Sequence, residues 1–301
     1  MNIIIKSLKL FLILSIKSKS LSAGSFVISS AMGPTKRSAA VLGSTGAVGK
    51  EIVKSLIHRN WDSIVLINRR NLKETSIVDT DGYKDKVREY IVDMENVETF
   101  ESKCTEIFKE ENSQAIFIAM GVGAPSKVDE STLRRADFEL PAAFANGAKE
   151  GASSVKHVSI LTAFGADKNA VPDTHDYFGL IPRTRAGGGL YTQLKGKIEE
   201  TLKELSFPSL STFRPAALIG TPNTPKMLEY ISPFLDKILP AKYKSSRIST
   251  LGNAMVFDAE TSLDRNEIHN SVVIFEGTSL HNLYKQSAGA KMEQPSHGGE
   301  L

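Results

Sequence analysis

The sequence predicts an α/β protein with a doubly wound parallel sheet, on three observations. Short β-rich runs alternate with helical patterns from Ser38 to Phe213, which implies successive βαβ units. The run Ala115-Ile-Phe-Ile-Ala119 is almost continuously apolar, as suits a parallel strand covered on both faces. A glycine-rich turn joins the first strand to the first helix, the place where a sheet of this kind meets a phosphate.

Taken in order, Ser38–Leu42 is a short buried strand, and Ala47 to Arg59 carries Val48, Ile52, Val53, Leu56 and Ile57 at helical spacing. Ile64 to Ile67 is the second strand and Val87 to Val92 the third. Val97 to Phe108 reads as an amphipathic helix that holds the single cysteine, Cys104, as a buried, unreactive thiol. Ala115 to Ala119 is the fourth strand, and Thr132 to Lys149 is a long helix that Pro141 either kinks or splits. Val155 to Leu161 is the fifth strand, Leu190 to Leu205 a helix, and Leu210 to Phe213 opens the sixth strand. Past Arg214, prolines 215, 222, 225, 233 and 240 interrupt the pattern. That stretch is expected to be a small irregular substrate region within a single domain spanning 38–285.

The turn is Gly43-Ser44-Thr45-Gly46-Ala47-Val48-Gly49. In a Rossmann domain the first glycine permits the tight turn, the second lets the backbone approach a pyrophosphate, and the third lets helix and strand pack closely. At the end of the second strand, where an NAD-binding chain commonly carries an acid, stand Asn68, Arg69 and Arg70. Guanidinium groups suit the 2′-phosphate of NADP(H), which they can hold with paired, charge-assisted bonds. Tyr191 and Lys195 are four residues apart at the start of the helix after strand five, so they share a helix face. A lysine cation there is expected to favour the phenolate and lower a phenol pKa that is normally about 10.

On these residues the chain resembles the short-chain dehydrogenase/reductase superfamily, in its atypical or extended branch. It is closer still to the Tat-interacting-protein oxidoreductase group. The resemblance is carried by the spacing of the glycine turn, Leu66-Ile-Asn-Arg-Arg70, Val92-Asp-Met-Glu95, Gly165-Ala-Asp-Lys168, Leu190-Tyr-Thr-Gln-Leu-Lys-Gly196 and Phe213-Arg-Pro-Ala-Ala-Leu-Ile-Gly220. It implies that Tyr191 moves a proton and that Lys195 holds the nicotinamide ribose and tunes the tyrosine. It also implies that Asp93 and Met94 meet adenine, that Ala119, Met120 and Gly121 line the cofactor, and that Thr162 orients a substrate carbonyl. Thr162 is followed by Ala163, where related chains carry two adjacent hydroxyl residues. The stretch 169–189 reads as an insertion, and its His175 and Asp176 as surface residues.

The expected activity is therefore NADP(H)-dependent hydride transfer between nicotinamide and a carbonyl or alcohol on a small molecule. Two alternatives stand beside it: an NADP(H)-sensing regulator or scaffold without turnover, and a nucleotide-sugar isomerase or epimerase. A net charge of +3 with no basic stripe argues against nucleic acid, and a lone cysteine supplies no metal centre. A protein partner is compatible with all three readings.

The termini read differently. No acid precedes Glu51, and lysines 6, 9, 17 and 19 flank the apolar run Leu10 to Ile16, which is too short to span a bilayer. Residues 1–37 are expected to be a targeting segment or a disordered extension. An organelle, plastid or mitochondrion, is favoured over the cytoplasm. Residues 286–301, rich in Gly, Ser, Gln and Lys, are expected to form a disordered tail.

Overall fold

The computed structural model describes residues 36–71, 85–171, 189–224, 226–265 and 270–290. The chain divides into two units, Met1–Thr35 and Lys36–Leu301, and every described residue belongs to the second. The expected targeting segment up to Thr35, His175, Asp176, Gly187, Gly188 and the tail from Lys291 lie outside the described residues.

Seven parallel strands form one sheet in the order β3-β2-β1-β4-β5-β6-β9. They are β1 (Ser38–Leu42), β2 (Ser63–Asn68), β3 (Val87–Ile91), β4 (Ala115–Ile118), β5 (His157–Leu161), β6 (Ser209–Arg214) and β9 (Ser271–Glu276). Two three-residue strands, β7 (Ala217–Ile219) and β8 (Ser245–Arg247), pair separately. The order reverses direction between β1 and β4, which leave a crevice beyond their C-terminal ends.

Two helical layers cover the sheet. On one face α2 (Val97–Glu111) packs on α4 (Leu140–Gly151), with α5 (Gly189–Glu204) beside them. On the other, α1 (Ala47–His58) packs on α7 (Ile248–Asp264), next to α8 (Thr278–Gly289). The alternation of β1 sorts its side chains between two cores. Ala40 and Leu42 join Phe100, Phe108 and Phe144, while Ala39 and Val41 join Ile52, Trp61, Phe117 and Met255. Cys104 is buried in the first core, and burial pushes its thiol well above the usual range.

One expectation is refined and one corrected. The helix expected over 132–149 starts at Glu130, and its distortion falls in the turn just before Pro141. A short α3 (Glu130–Arg134) runs into a π-helical turn, Arg135–Glu139, and α4 then begins with Pro141 in its first turn. Proline has no N–H for the carbonyl four residues back, which here belongs to Asp137, and the widened turn lies where that ladder bond is missing. The region after Arg214 is also far from irregular. Besides α6 (Lys226–Ile238) it holds two long helices, α7 and α8, and the seventh strand of the sheet. α8 continues to Gly289, past the expected start of the tail, and buries Leu280, Leu283, Tyr284 and Ser287.

Candidate functional site

The glycine turn is shaped by close approaches. Gly43 has φ +87°, and a Cβ there would lie 2.8 Å from the Ala119 carbonyl carbon and the Met120 nitrogen. A Cβ on Gly49 would lie 2.0 Å from the Gly43 oxygen, so α1 can start against β1 only with glycine at that position. Gly46 caps α1 without a side-chain hydrogen bond, and the first turn carries no acid. The amides that open the helix thus retain their donor capacity and the positive end of the dipole.

The turn that leads into them borders a cavity of about 650 Å³ at the β1/β4 crevice. Gly43, Thr45 and Gly46 line it on one side and Ala119, Met120 and Gly121 on another, with Asn68, Arg69, Arg70 and Met94 completing the sequence-predicted part. Ser44, Ala47, Val48 and Gly49 support the turn without lining the cavity. Asp93 is exposed and outside it, its carboxylate accepting the Glu95 N–H at 2.9 Å. Asn68 is tied on both sides: its Oδ1 accepts from buried Ser44 Oγ and its Nδ2 donates to Glu89 Oε1, each at 2.6 Å. Arg69 and Arg70 are exposed at the rim. Arg135, a cation that sequence reasoning missed, also lines the cavity and pairs with Glu95 at 3.2 Å.

The cavity adjoins a buried charge pair. A Cβ on Gly121 would stand 2.8 Å from Asp137 Oδ1 and 3.6 Å from Lys195 Nζ. Lys195 and Asp137 form an ion pair at 2.8 Å, with side chains 5% and 1% exposed. The other Asp137 oxygen accepts the Val122 N–H at 3.1 Å. Lys195 also donates to the Leu161 carbonyl at 3.5 Å and lies 5.8 Å from the centre of the Tyr191 ring. Burial pulls the Lys195 ammonium down, but Asp137 and its neighbours outweigh that and hold it above its ordinary range.

Tyr191 titrates in the opposite direction from the one expected. Burial raises its phenol first, Lys195 lowers it, and Asp137 raises it again, for a net rise. Lys195 does act as expected; burial, helped by the anion it pairs with, outweighs it.

Thr162 follows β5 and is buried. Its hydroxyl donates to Glu199 Oε1 at 2.7 Å. Glu199, one turn beyond Lys195, also accepts from Arg214 Nε at 2.9 Å and pairs with the second arm of the same guanidinium. Arg214 reaches Glu276 at 3.2 Å. A hydroxyl has one proton, so Thr162 can offer a ligand only acceptor lone pairs in this arrangement. Among the described residues there is no cluster of potential metal ligands.

No family model matches the chain. Protein HTATIP2 of Rattus norvegicus is 27% identical over 184 residues, 61% of this chain and 63% of that protein. Protein FMP52, mitochondrial, of Candida glabrata is 24% identical over 188 residues, 62% of this chain and 66% of that protein. The chain thus matches just under two thirds of the length of each. Among solved structures, yeast methylglyoxal/isovaleraldehyde reductase Gre2 complexed with NADPH aligns with TM-score 0.54 at 15% identity, covering 79% of this chain and 77% of that one. A UDP-glucose 4-epimerase of Thermotoga maritima with UDP-glucose aligns with TM-score 0.53 at 13% identity, covering 86% and 84%. These two share its fold. The sheet order and the glycine turn are those of a Rossmann fold, and in sequence the chain is similar to HTATIP2 and FMP52.

Proposed function

We propose that the chain is an NADP(H)-dependent oxidoreductase acting on a carbonyl or alcohol group of a small molecule. The observation that carries this reading is the junction at Gly121, where the cavity beside the uncapped start of α1 meets the Lys195–Asp137 pair. When bound, the dinucleotide supplies the hydride donor or acceptor. The open amides of α1 hold its pyrophosphate, Arg69 and Arg70 fork onto a 2′-phosphate, and Met94 packs at the adenine end, with Asp93 nearby. Lys195 gives its remaining N–H to the ribose.

Tyr191 gives its phenolic proton to the carbonyl oxygen during reduction and takes it back from the hydroxyl during oxidation. A raised phenol pKa keeps that proton in place at neutral pH, which suits the reductive direction. Thr162, with its own proton engaged, accepts a bond from a substrate hydroxyl. The organelle reading extends to this chain as a proposal: its acid-free N-terminus suits import, and FMP52 is labelled mitochondrial.

A second reading, a cofactor-sensing regulator, is favoured by the engaged Thr162 hydroxyl. The test is NADPH oxidation by the full chain against a panel of aldehydes and ketones, followed by absorbance. Turnover should appear and fall about 10²–10⁴-fold in Tyr191→Phe. Tight NADPH binding with no turnover of any carbonyl would replace the enzyme reading with the sensor. Interconversion of sugar nucleotides without net absorbance change would replace it with the epimerase.

A further inference from the structure

Helix α6 turns large apolar side chains to solvent. Met227, Tyr230, Phe234 and Ile238 recur at helical spacing along one side, and their exposures are 72%, 82%, 67% and 78%. Ser232 is buried, and Asp236 accepts from the Ser245 N–H at 2.8 Å and from the Ser245 hydroxyl at 2.6 Å. A contiguous apolar stripe in water marks a surface that meets something else.

The surrounding charges say what. Lys226 and Lys237 are exposed along one flank of the stripe, and Lys242 is exposed just beyond the helix. Lys237 lies 5.7 Å from the centre of the Phe234 ring and Lys242 lies 4.8 Å from that of Tyr243, which is itself 47% exposed. Apolar bodies with aromatic edges and lysine stems laid beside them are the layout of a helix lying in a membrane interface. Of the two acids on α6, Asp236 is taken up by Ser245, which leaves Glu229. A second copy packed on the stripe with the two α6 helices antiparallel would set the lysine flank against itself. Among the described residues no helix is long and apolar enough to cross a membrane.

We propose that α6 docks the protein on an anionic lipid bilayer, with Tyr230, Phe234 and Ile238 entering the headgroup boundary and Lys226, Lys237 and Lys242 meeting lipid phosphates and carboxylates. The contact is peripheral, salt-sensitive and independent of any nucleotide in the cavity.

The test is co-sedimentation of the full chain with vesicles of phosphatidylcholine alone and of phosphatidylcholine doped with phosphatidylserine. Binding is expected to the doped vesicles and to fall as salt rises. The double variant Phe234→Ser/Ile238→Ser should bind them at least about tenfold more weakly, and Lys226→Glu/Lys237→Glu should lose the salt-sensitive part. The thermal midpoint should stay unchanged in both, because the replaced side chains are exposed. No binding to doped vesicles, or equal binding by wild type and both variants, would overturn the proposal. So would a concentration-dependent dimer that the serine variant abolishes, which would assign the stripe to a second copy. A thermal midpoint lowered by several degrees in the serine variant would also overturn it, because the stripe would then be covered by the chain's own residues.

Discussion

Two buried ion pairs sit one turn apart on α5, and they differ in what they leave open. Lys195 pairs with Asp137 on the cavity side, and Glu199 pairs with Arg214 behind it. An ammonium has three donors. Asp137 takes one and the Leu161 carbonyl a long second, so one remains for a ligand. Glu199 is closed, because Thr162 and both arms of Arg214 occupy its oxygens and Arg214 goes on to Glu276. The lesson is that burial and pairing alone do not distinguish machinery from scaffold. Unused hydrogen-bonding capacity facing a cavity does.

That contrast can be broken by substitution. Lys195→Met should lower turnover on a verified substrate by about 10³-fold, within the range of acid–base contributions, and weaken cofactor binding. A variant with wild-type turnover would place Lys195 with the scaffold. Glu199→Ala should do the reverse. It strands Arg214 with one partner, and breaking a buried pair costs about 3–5 kcal/mol of stability, read as a lower denaturation midpoint. Turnover per folded molecule should change little, and a loss rivalling that of Lys195→Met would erase the distinction.

A third buried pair sharpens the comparison because it is not ionic at neutral pH. His157 and Asp258 approach within 3.6 Å, yet burial holds His157 down to about 3 and pushes Asp258 up to about 6. Below pH 6.5 the unfolded chain protonates histidine and the folded one does not, so His157 removes stability as pH falls. Asp258 takes up its proton earlier in the folded state than in the unfolded one, so it adds stability over the same descent. Asp258→Asn leaves only the loss. Stability should then fall more steeply on acidification, by roughly 2 kcal/mol between about pH 6 and 4.5. Parallel stability curves for the variant and wild type would count against this assignment.

The smallest effect concerns Asp137. Its carboxylate raises the Tyr191 phenol, so Asp137→Asn should lower that pKa. The pH–rate profile for alcohol oxidation, in which the proposed mechanism makes Tyr191 the base, should move to lower pH. A profile that stays in place would mean Asp137 only holds the lysine in position.

β1, β2 and β4 were the most legible strands because each is a short apolar run, and β1 and the glycine turn were read residue for residue. α7 was not. Leu251, Ala254, Met255, Val256 and Ala259 are all buried, and Gly252 is so close to α1 that a Cβ would lie 2.8 Å from the Glu51 carbonyl carbon. A helix buried on several sides shows no single stripe to find. α8 hid behind a composition that resembles a tail. Asp137 could not be found from spacing, because the π turn shifts the helix register and its partner lies on another helix. For Thr162, no local pattern could show that Glu199, on another element, holds its proton.

The account rests most directly on what fills the cavity at the β1/β4 crevice. Equilibrium titration of the full chain with NADPH and with NADH, at one fixed salt concentration, tests it. NADPH should bind at least about tenfold more tightly, since each charge-assisted bond contributes about 1.5–3 kcal/mol. Arg69→Ala/Arg70→Ala should erase most of that difference while leaving NADH binding near its wild-type value. Equal affinity for the two in the wild-type chain would contradict the role given to the arginines, and failure to bind either would contradict the dinucleotide site itself.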